Sequence, residues 1–156
     1  MAKAKFGLDF EGFLDLAKQV DELGSTYLKQ ATNNALEKSK DYANTEIVIA
    51  MKSSKYAFVS GKRSGKNRPA TGKAMKSVQE TAKKPVEWNG TVATAYIGPD
   101  LQEAPEALIL AMGTPHIKKD TKLYNAIKVK GKVRKAVETI QQKEFQKIIE
   151  EAMNNG

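Results

Sequence analysis

The chain has 156 residues and no cysteine, which excludes disulfides, thiolate metal sites and cysteine nucleophiles. Its single histidine, His116, leaves any histidine-rich zinc site or Ser–His–Asp triad dependent on one residue. No apolar run approaches the ~20 residues that a membrane-spanning helix needs, and the opening MAKAKFGLDF lacks the apolar segment of a signal peptide. We therefore expect a soluble, intracellular protein with one domain over residues 1–156 and no membrane partner.

The net charge of +8 is concentrated in two short windows. Residues 51–79 contain eight basic and no acidic residues, and residues 116–135 contain eight basic residues and one acidic residue, whereas the remainder is mildly acidic. Basic blocks of this kind produce a local field that attracts polyanions, most often nucleic acid. Solvated lysines that serve only solubility are the alternative interpretation.

The N-terminal third predicts a short strand followed by helices. Residues 3–10 are expected to form an edge strand, and Asp9 is a suitable N-cap for a first helix that Gly24 ends. A second amphipathic helix is predicted over about 26–43. The apolar residues 47–51 either extend this helix or begin a strand: their β-branched side chains favour a strand, and continuity favours a helix.

Residues 52–70 are predicted to form a long basic loop. Glycine, serine and asparagine alternate there with basic residues, and only residues 56–59 interrupt this polarity, as a small anchor. A loop of this length in a compact domain is usually functional or disordered. No aromatic residue alternates with its basic residues, so we expect sequence-independent contact rather than base stacking. The basic side chains predicted to contact DNA or another subunit are Lys62, Arg63, Lys66 and Arg68.

Beyond the loop, apolar residues alternate on both sides of Asn89-Gly90 and predict a β-hairpin with these two residues at the centre of a type I′ turn. Residues 107–112 form an apolar run that is too short to distinguish a strand from a helix, and residues 132–153 predict a C-terminal helix. The elements together predict an α+β domain. Its twisted, mainly antiparallel sheet carries N-terminal helices and a long C-terminal helix packed on it.

Candidate catalytic groups are few. His116 and Asp120 are candidate metal ligands, but the sequence supplies no third ligand beside them. An exposed histidine in a loop is the alternative interpretation of His116. Glu103 and Glu106 are paired carboxylates that the solvated start of a helix explains equally well. We therefore predict no catalytic residue, no metal ligand and no cofactor.

Short motifs follow one another in a fixed order along nearly the whole chain. Gly7-Leu8 precedes the first helix, a central group contains Pro69, Thr71-Gly72 and Ser77, and a late turn contains Gly113-Thr114. In this order, and at this chain length, the sequence resembles the tail-completion, or head–tail joining, proteins of long-tailed bacteriophages. Three residues depart from the family pattern: Ala74 stands where the family has leucine, and Ala111-Met112 replaces an acidic–aromatic pair.

The resemblance implies a non-enzymatic structural virion protein, made in the host cytoplasm and located in the neck of the particle. Such a subunit forms a ring with copies of itself, commonly a hexamer. The ring joins the head connector, or head-closure protein, to the tail terminator or tail tube protein, and packaged double-stranded DNA crosses its channel. One alternative is a tail terminator that caps the tail tube. An alternative of another class is a free, non-specific nucleic-acid-binding protein.

Overall fold

The computed structural model describes residues 25–64, 68–128 and 130–155. The predicted N-terminal strand and first helix, with Gly7 and Leu8, lie outside these ranges. The α+β class is confirmed. In chain order the described elements are α1 (Ser25–Ser53), β1 (Arg63–Ser64), β2 (Arg68–Pro69), α2 (Lys73–Lys83), β3 (Glu87–Asn89), β4 (Val92–Thr94), α3 (Glu106–Met112), α4 (Thr121–Ile127) and α5 (Lys132–Asn154).

Helix α1 runs without a break through the apolar residues 47–51, so the continuous-helix alternative is correct. Ala43, Ile47 and Met51 follow one another at a spacing of four residues, and all three are buried on one stripe of the helix. A β-branched residue costs at most about 0.7 kcal/mol in a helix. Burial of a large apolar side chain contributes about 1.5–3 kcal/mol and therefore decides the conformation.

Helix α5 packs along α1, so the long C-terminal helix rests mainly on another helix rather than on the sheet. The two helices run antiparallel: Ala31, near the start of α1, clusters with Ile148, near the end of α5, whereas Ala43 and Val137 line one cavity further along. The described strands are only two or three residues long and are mostly exposed. They offer too little apolar surface to support a helix of this length.

The predicted central hairpin is present as β3 and β4, with its turn displaced by one residue. Asn89 pairs with Val92, so the two central turn residues are Gly90 and Thr91. Gly90 has a φ of 61°, a conformation that suits glycine. The Trp88 indole N–H donates to the Asn33 side-chain oxygen at 2.9 Å, which ties the hairpin to α1.

The predicted basic loop is partly regular. Its first two residues belong to α1, and β1 pairs with β2 in a second short antiparallel hairpin. Phe58 is only 3% exposed and packs in the main core with residues from α1 to α4, which confirms the predicted anchor at residues 56–59. Among the described residues, no helix is long and apolar enough to cross a bilayer.

Candidate functional site

The two basic windows of the sequence meet at the C-terminal end of α1. The Lys122 ammonium group donates to the carbonyl oxygen of Ser53 at 2.9 Å, and the Tyr56 hydroxyl donates to the carbonyl oxygen of Lys118. Segments more than 60 residues apart in the chain are therefore adjacent in space. We call the exposed lysines of these segments the basic surface: Lys52, Lys55, Lys62, Lys118, Lys119 and Lys122.

Asp120 is the buried acidic group that joins the two segments. Its carboxylate accepts a hydrogen bond from the Ser54 hydroxyl at 2.5 Å and one from the Leu123 backbone N–H at 2.8 Å, so it also caps α4. Desolvation by burial raises the pKa of Asp120, but these hydrogen bonds, together with those from the backbone N–H groups of Lys55 and Lys122, lower it further than burial raises it. The pKa of Asp120 is therefore below its usual value. The side chain stays ionised at neutral pH, and its hydrogen bonds to Ser54 and Leu123 hold the two basic segments together.

Two lysines of the basic surface also cap the end of α1. The Lys62 ammonium group donates to the carbonyl oxygen of Lys52 at 3.0 Å, and Lys122 donates to Ser53 as described above. Cations are favourable at a helix C-terminus because the last carbonyl groups have no intrahelical donor and carry partial negative charge. An ammonium group has three donors, so each of these lysines keeps donors for an external acceptor.

The charge of the basic surface is not neutralised within the described part of the chain. The ion pairs there, such as Lys38–Glu144 and Lys147–Glu151, lie elsewhere, and none includes any of the six lysines. The Lys119 ammonium group lies 4.3 Å from the centre of the Tyr124 ring, within the range of a cation–π contact. Six lysines around the one ionised carboxylate of Asp120 leave this surface with a net positive charge, and such a field attracts polyanions.

The structure describes three of the four basic residues predicted from the sequence. Lys62 belongs to the basic surface, whereas Arg63 and Arg68 lie in the β1–β2 hairpin and Lys66 lies outside the described residues. Arg63 pairs with Pro69, and Arg68 pairs with Ser64. Because successive residues of a strand point to opposite faces, the two arginines project from opposite faces of the hairpin.

The predicted site also missed the lysines at positions 118, 119 and 122. The second basic window was visible in the charge count, but no local pattern showed that it meets the first. Hydrogen bonds between residues 62 to 69 positions apart create that proximity.

The central family-motif residues lie at the start of α2 and within it. Gly72, at the N-cap of α2, has a φ of 70°, and a Cβ there would lie 3.0 Å from the backbone nitrogen of Ser60. Thr71 accepts a backbone N–H from the first turn of α2 at 3.3 Å. Ser77 is buried, and its hydroxyl oxygen accepts the backbone N–H of Asp100 at 2.6 Å. These residues stabilise the local backbone around α2. None of these hydrogen bonds joins them to a lysine of the basic surface.

Gly113 and Thr114 bring the end of α3 close to the basic surface. Gly113 has a φ of 76°, and a Cβ there would lie 2.8 Å from the backbone nitrogen of Lys119. The Thr114 hydroxyl oxygen accepts the backbone N–H groups of His116 and Ile117, which closes the following turn. Glycine is required because any side chain at this position would separate α3 from residues 117–119.

The structure places the candidate catalytic groups in different environments. Both carboxylate oxygens of Asp120 accept internal hydrogen bonds, whereas His116 is exposed. Glu103 and Glu106 are exposed at the start of α3. Within the ranges that the structure describes, no group of three or more histidine or acidic residues is arranged to hold a metal ion.

An apolar cavity of about 100 Å³ lies between α1, α3, α4 and α5. Ile47, Leu123 and Val137 are among its lining residues, and the charged residues Lys128 and Arg134 line it as well. Leu108 of α3 lines the cavity and is partly exposed. The exposed apolar side chains of Ile109 and Met112 lie on the same helix. The molecule therefore offers two different surfaces, one strongly basic and one apolar.

No protein-family model, curated protein or solved structure matches the chain at a significant level. The function is therefore inferred from these two surfaces and from the order of the motifs.

Proposed function

We propose that the protein is a non-enzymatic structural subunit of a bacteriophage neck. In this role it forms a ring, hexameric in the related family, between the head connector and the tail. The observation that carries the proposal is the basic surface at the end of α1, because it gives a ring subunit a means to contact the DNA that passes through the channel. The order of the motifs from Gly7 to Thr114 supports the same assignment.

The chemistry of the basic surface suits a passing duplex rather than one DNA sequence. Lysine accounts for 13 of the 16 basic residues in the two basic windows and acts on phosphates as a point charge, whereas specific base recognition favours the planar fork of arginine. Contacts to phosphates fix the position of a duplex and carry no sequence information. A channel that DNA must traverse needs this kind of contact.

The salt dependence of duplex binding tests the DNA part of the proposal. If about four lysines each neutralise one phosphate, the logarithm of the binding constant falls with the logarithm of the salt concentration with a slope of about −4. Lys55→Glu with Lys118→Glu should reduce the steepness of that slope by about 2 and weaken binding about tenfold or more. The matched control is Lys29→Glu with Lys143→Glu, two exposed lysines outside both basic windows. Equal losses in the control and the double variant would contradict a localised DNA site.

The joining role is tested in particles assembled without this protein. We expect filled heads and separate, finished tails, because the connection between them is missing. Purified protein should bind the head connector. Binding only to the end of the tail tube would instead identify a tail terminator.

The basic surface also favours a second candidate, a free protein that binds nucleic acid without sequence preference. This candidate predicts tight duplex binding by a monomer or dimer and no protein in mature particles. The mass of the assembled species, measured with and without duplex DNA, separates the two functions.

A further inference from the structure

The cavity and the exposed face of α3 form one continuous apolar surface, which we call the apolar socket. Leu108 lines the cavity and is 36% exposed, and Ile109 and Met112, at 45% and 55%, continue the surface on α3. Positions three and four residues apart lie on the same side of a helix, so these three side chains are neighbours. A cavity that opens onto such a face is suited to receive one side chain from outside.

Within the described ranges, one lysine without a carboxylate partner lines the apolar socket. Lys128 lines the cavity, and its ammonium group lies 6.0 Å from the centre of the Tyr124 ring; among the described residues it has no carboxylate partner. Arg134 also lines the cavity and forms an ion pair with Glu138 at 3.2 Å. The socket therefore favours an apolar group that is accompanied by acidic residues.

The C-terminal end of α5 has the complementary composition. Met153 is 70% exposed, more than any other large apolar residue in the described ranges. Glu150 lies one turn earlier on the same side of the helix and supplies a negative charge, whereas Glu151 is ion-paired with Lys147 at 3.9 Å. Methionine is unbranched and flexible, so it adapts to an irregular cavity.

A chain cannot place Met153 in its own socket. Met153 lies 16 residues after Val137, which lines the cavity on the same helix, and these residues are about 24 Å apart at 1.5 Å per residue. Because α5 is a continuous helix packed along α1, this separation is constant. Only another molecule can bring the two surfaces together.

We propose that the end of α5 from one copy of the chain, with Met153 and Glu150, occupies the apolar socket of the next copy. The cavity of about 100 Å³ has room for one unbranched side chain, since a cavity of about 150 Å³ holds benzene. The two partner surfaces differ, so the contact is head-to-tail, and repeated contacts close into a ring when the rotation permits. This inference rests on the proposed function, because it identifies the interface of the ring.

Cysteine cross-linking tests the contact directly, because the natural chain has no cysteine. Full-length Leu108→Cys and Met153→Cys proteins are mixed and oxidised mildly with copper phenanthroline. We expect a disulfide-linked dimer containing one of each. The control replaces Leu108→Cys with Val92→Cys, an apolar position at the start of β4 that is more accessible, at 62% exposed against 36% for Leu108. A yield no higher than that of the control overturns the inference.

A charge exchange provides a second, independent measurement. Lys128→Glu or Glu150→Lys alone should weaken self-association at least tenfold in sedimentation experiments, and the double variant should recover most of it. A double variant as weak as the single variants overturns the inference. If the natural protein forms rings while both experiments fail, the ring function stands and the interface lies elsewhere. If particles form complete necks without the protein, the ring function itself fails.

Discussion

The two ends of the antiparallel helix pair α1–α5 differ in how they are stabilised and in what they expose. At the C-terminal end of α1, residues of four helices form the larger core. The buried carboxylate of Asp120 and the lysines that cap α1 hold the neighbouring loops in place there. At the other end a smaller cluster contains only residues of α1 and α5: Ala31, Ala35, Phe145 and Ile148, with Leu28 and Ile149 partly buried against it. The comparison teaches that the basic surface lies at the end of the helix pair where the larger core and the buried Asp120 fix the loops, whereas the other end rests on contacts between α1 and α5 alone.

The largest expected effect concerns the smaller cluster. Phe145 is 1% exposed and is the largest side chain buried there, and Phe145→Ala should lower the free energy of unfolding by about 4 kcal/mol. The two small alanines opposite it cannot fill the cavity that remains. Urea denaturation followed by circular dichroism measures the change. A loss below about 1 kcal/mol would show that this end of the helix pair contributes little to stability.

An intermediate effect is expected at the basic end. Asp120→Asn keeps the size of the side chain but removes a charged hydrogen-bond acceptor and helix cap, which should cost about 2 kcal/mol at pH 7. Asp120 has a lowered pKa in the folded protein, so its contribution is present above the pKa of the unfolded chain and is lost as the pH falls through the folded pKa. The stability difference between wild type and variant should therefore shrink on acidification below about pH 4. A difference that is independent of pH would contradict the ionised role of Asp120.

The smallest expected effect is the difference in stability between alanine variants of two glycines that both have a positive φ. Gly113 and Gly90 both have positive φ, but a Cβ meets the Lys119 backbone at Gly113 and open space at Gly90. Gly90→Ala should cost about 1 kcal/mol from backbone strain, and Gly113→Ala about 1–2 kcal/mol more. Thermal denaturation of both variants measures the difference. Equal losses would mean that α3 does not need its close approach to residues 117–119.

Local patterns predicted a substantial part of the fold. The period of the apolar residues identified α5 within one residue of its observed end, and turn chemistry identified the β3–β4 hairpin. The displacement of its turn by one residue depended on the pairing of Asn89 with Val92, which the sequence pattern does not specify. The short apolar run at residues 107–112 became α3 because Ala107 and Ala111, four residues apart, are both buried.

The candidate site was predictable only in part. Lys62 was identified from the sequence, but its partners Lys118 and Lys122 come from a distant window, and Asp120 was considered as a metal ligand rather than as a buried cap. The apolar socket was not predicted, because its lining residues come from four helices and from residues 97–101.

By itself, the sequence determined the two basic windows, the C-terminal helix, the central hairpin and the absence of cysteine chemistry. These properties depend on composition or on residues within about four positions of one another, which is the range of helical and turn interactions. Only the tertiary structure decided that α1 continues through its β-branched segment and that α5 packs on α1. It also decided that the basic windows share one surface, since burial and hydrogen bonds between distant residues exist only once the chain is folded.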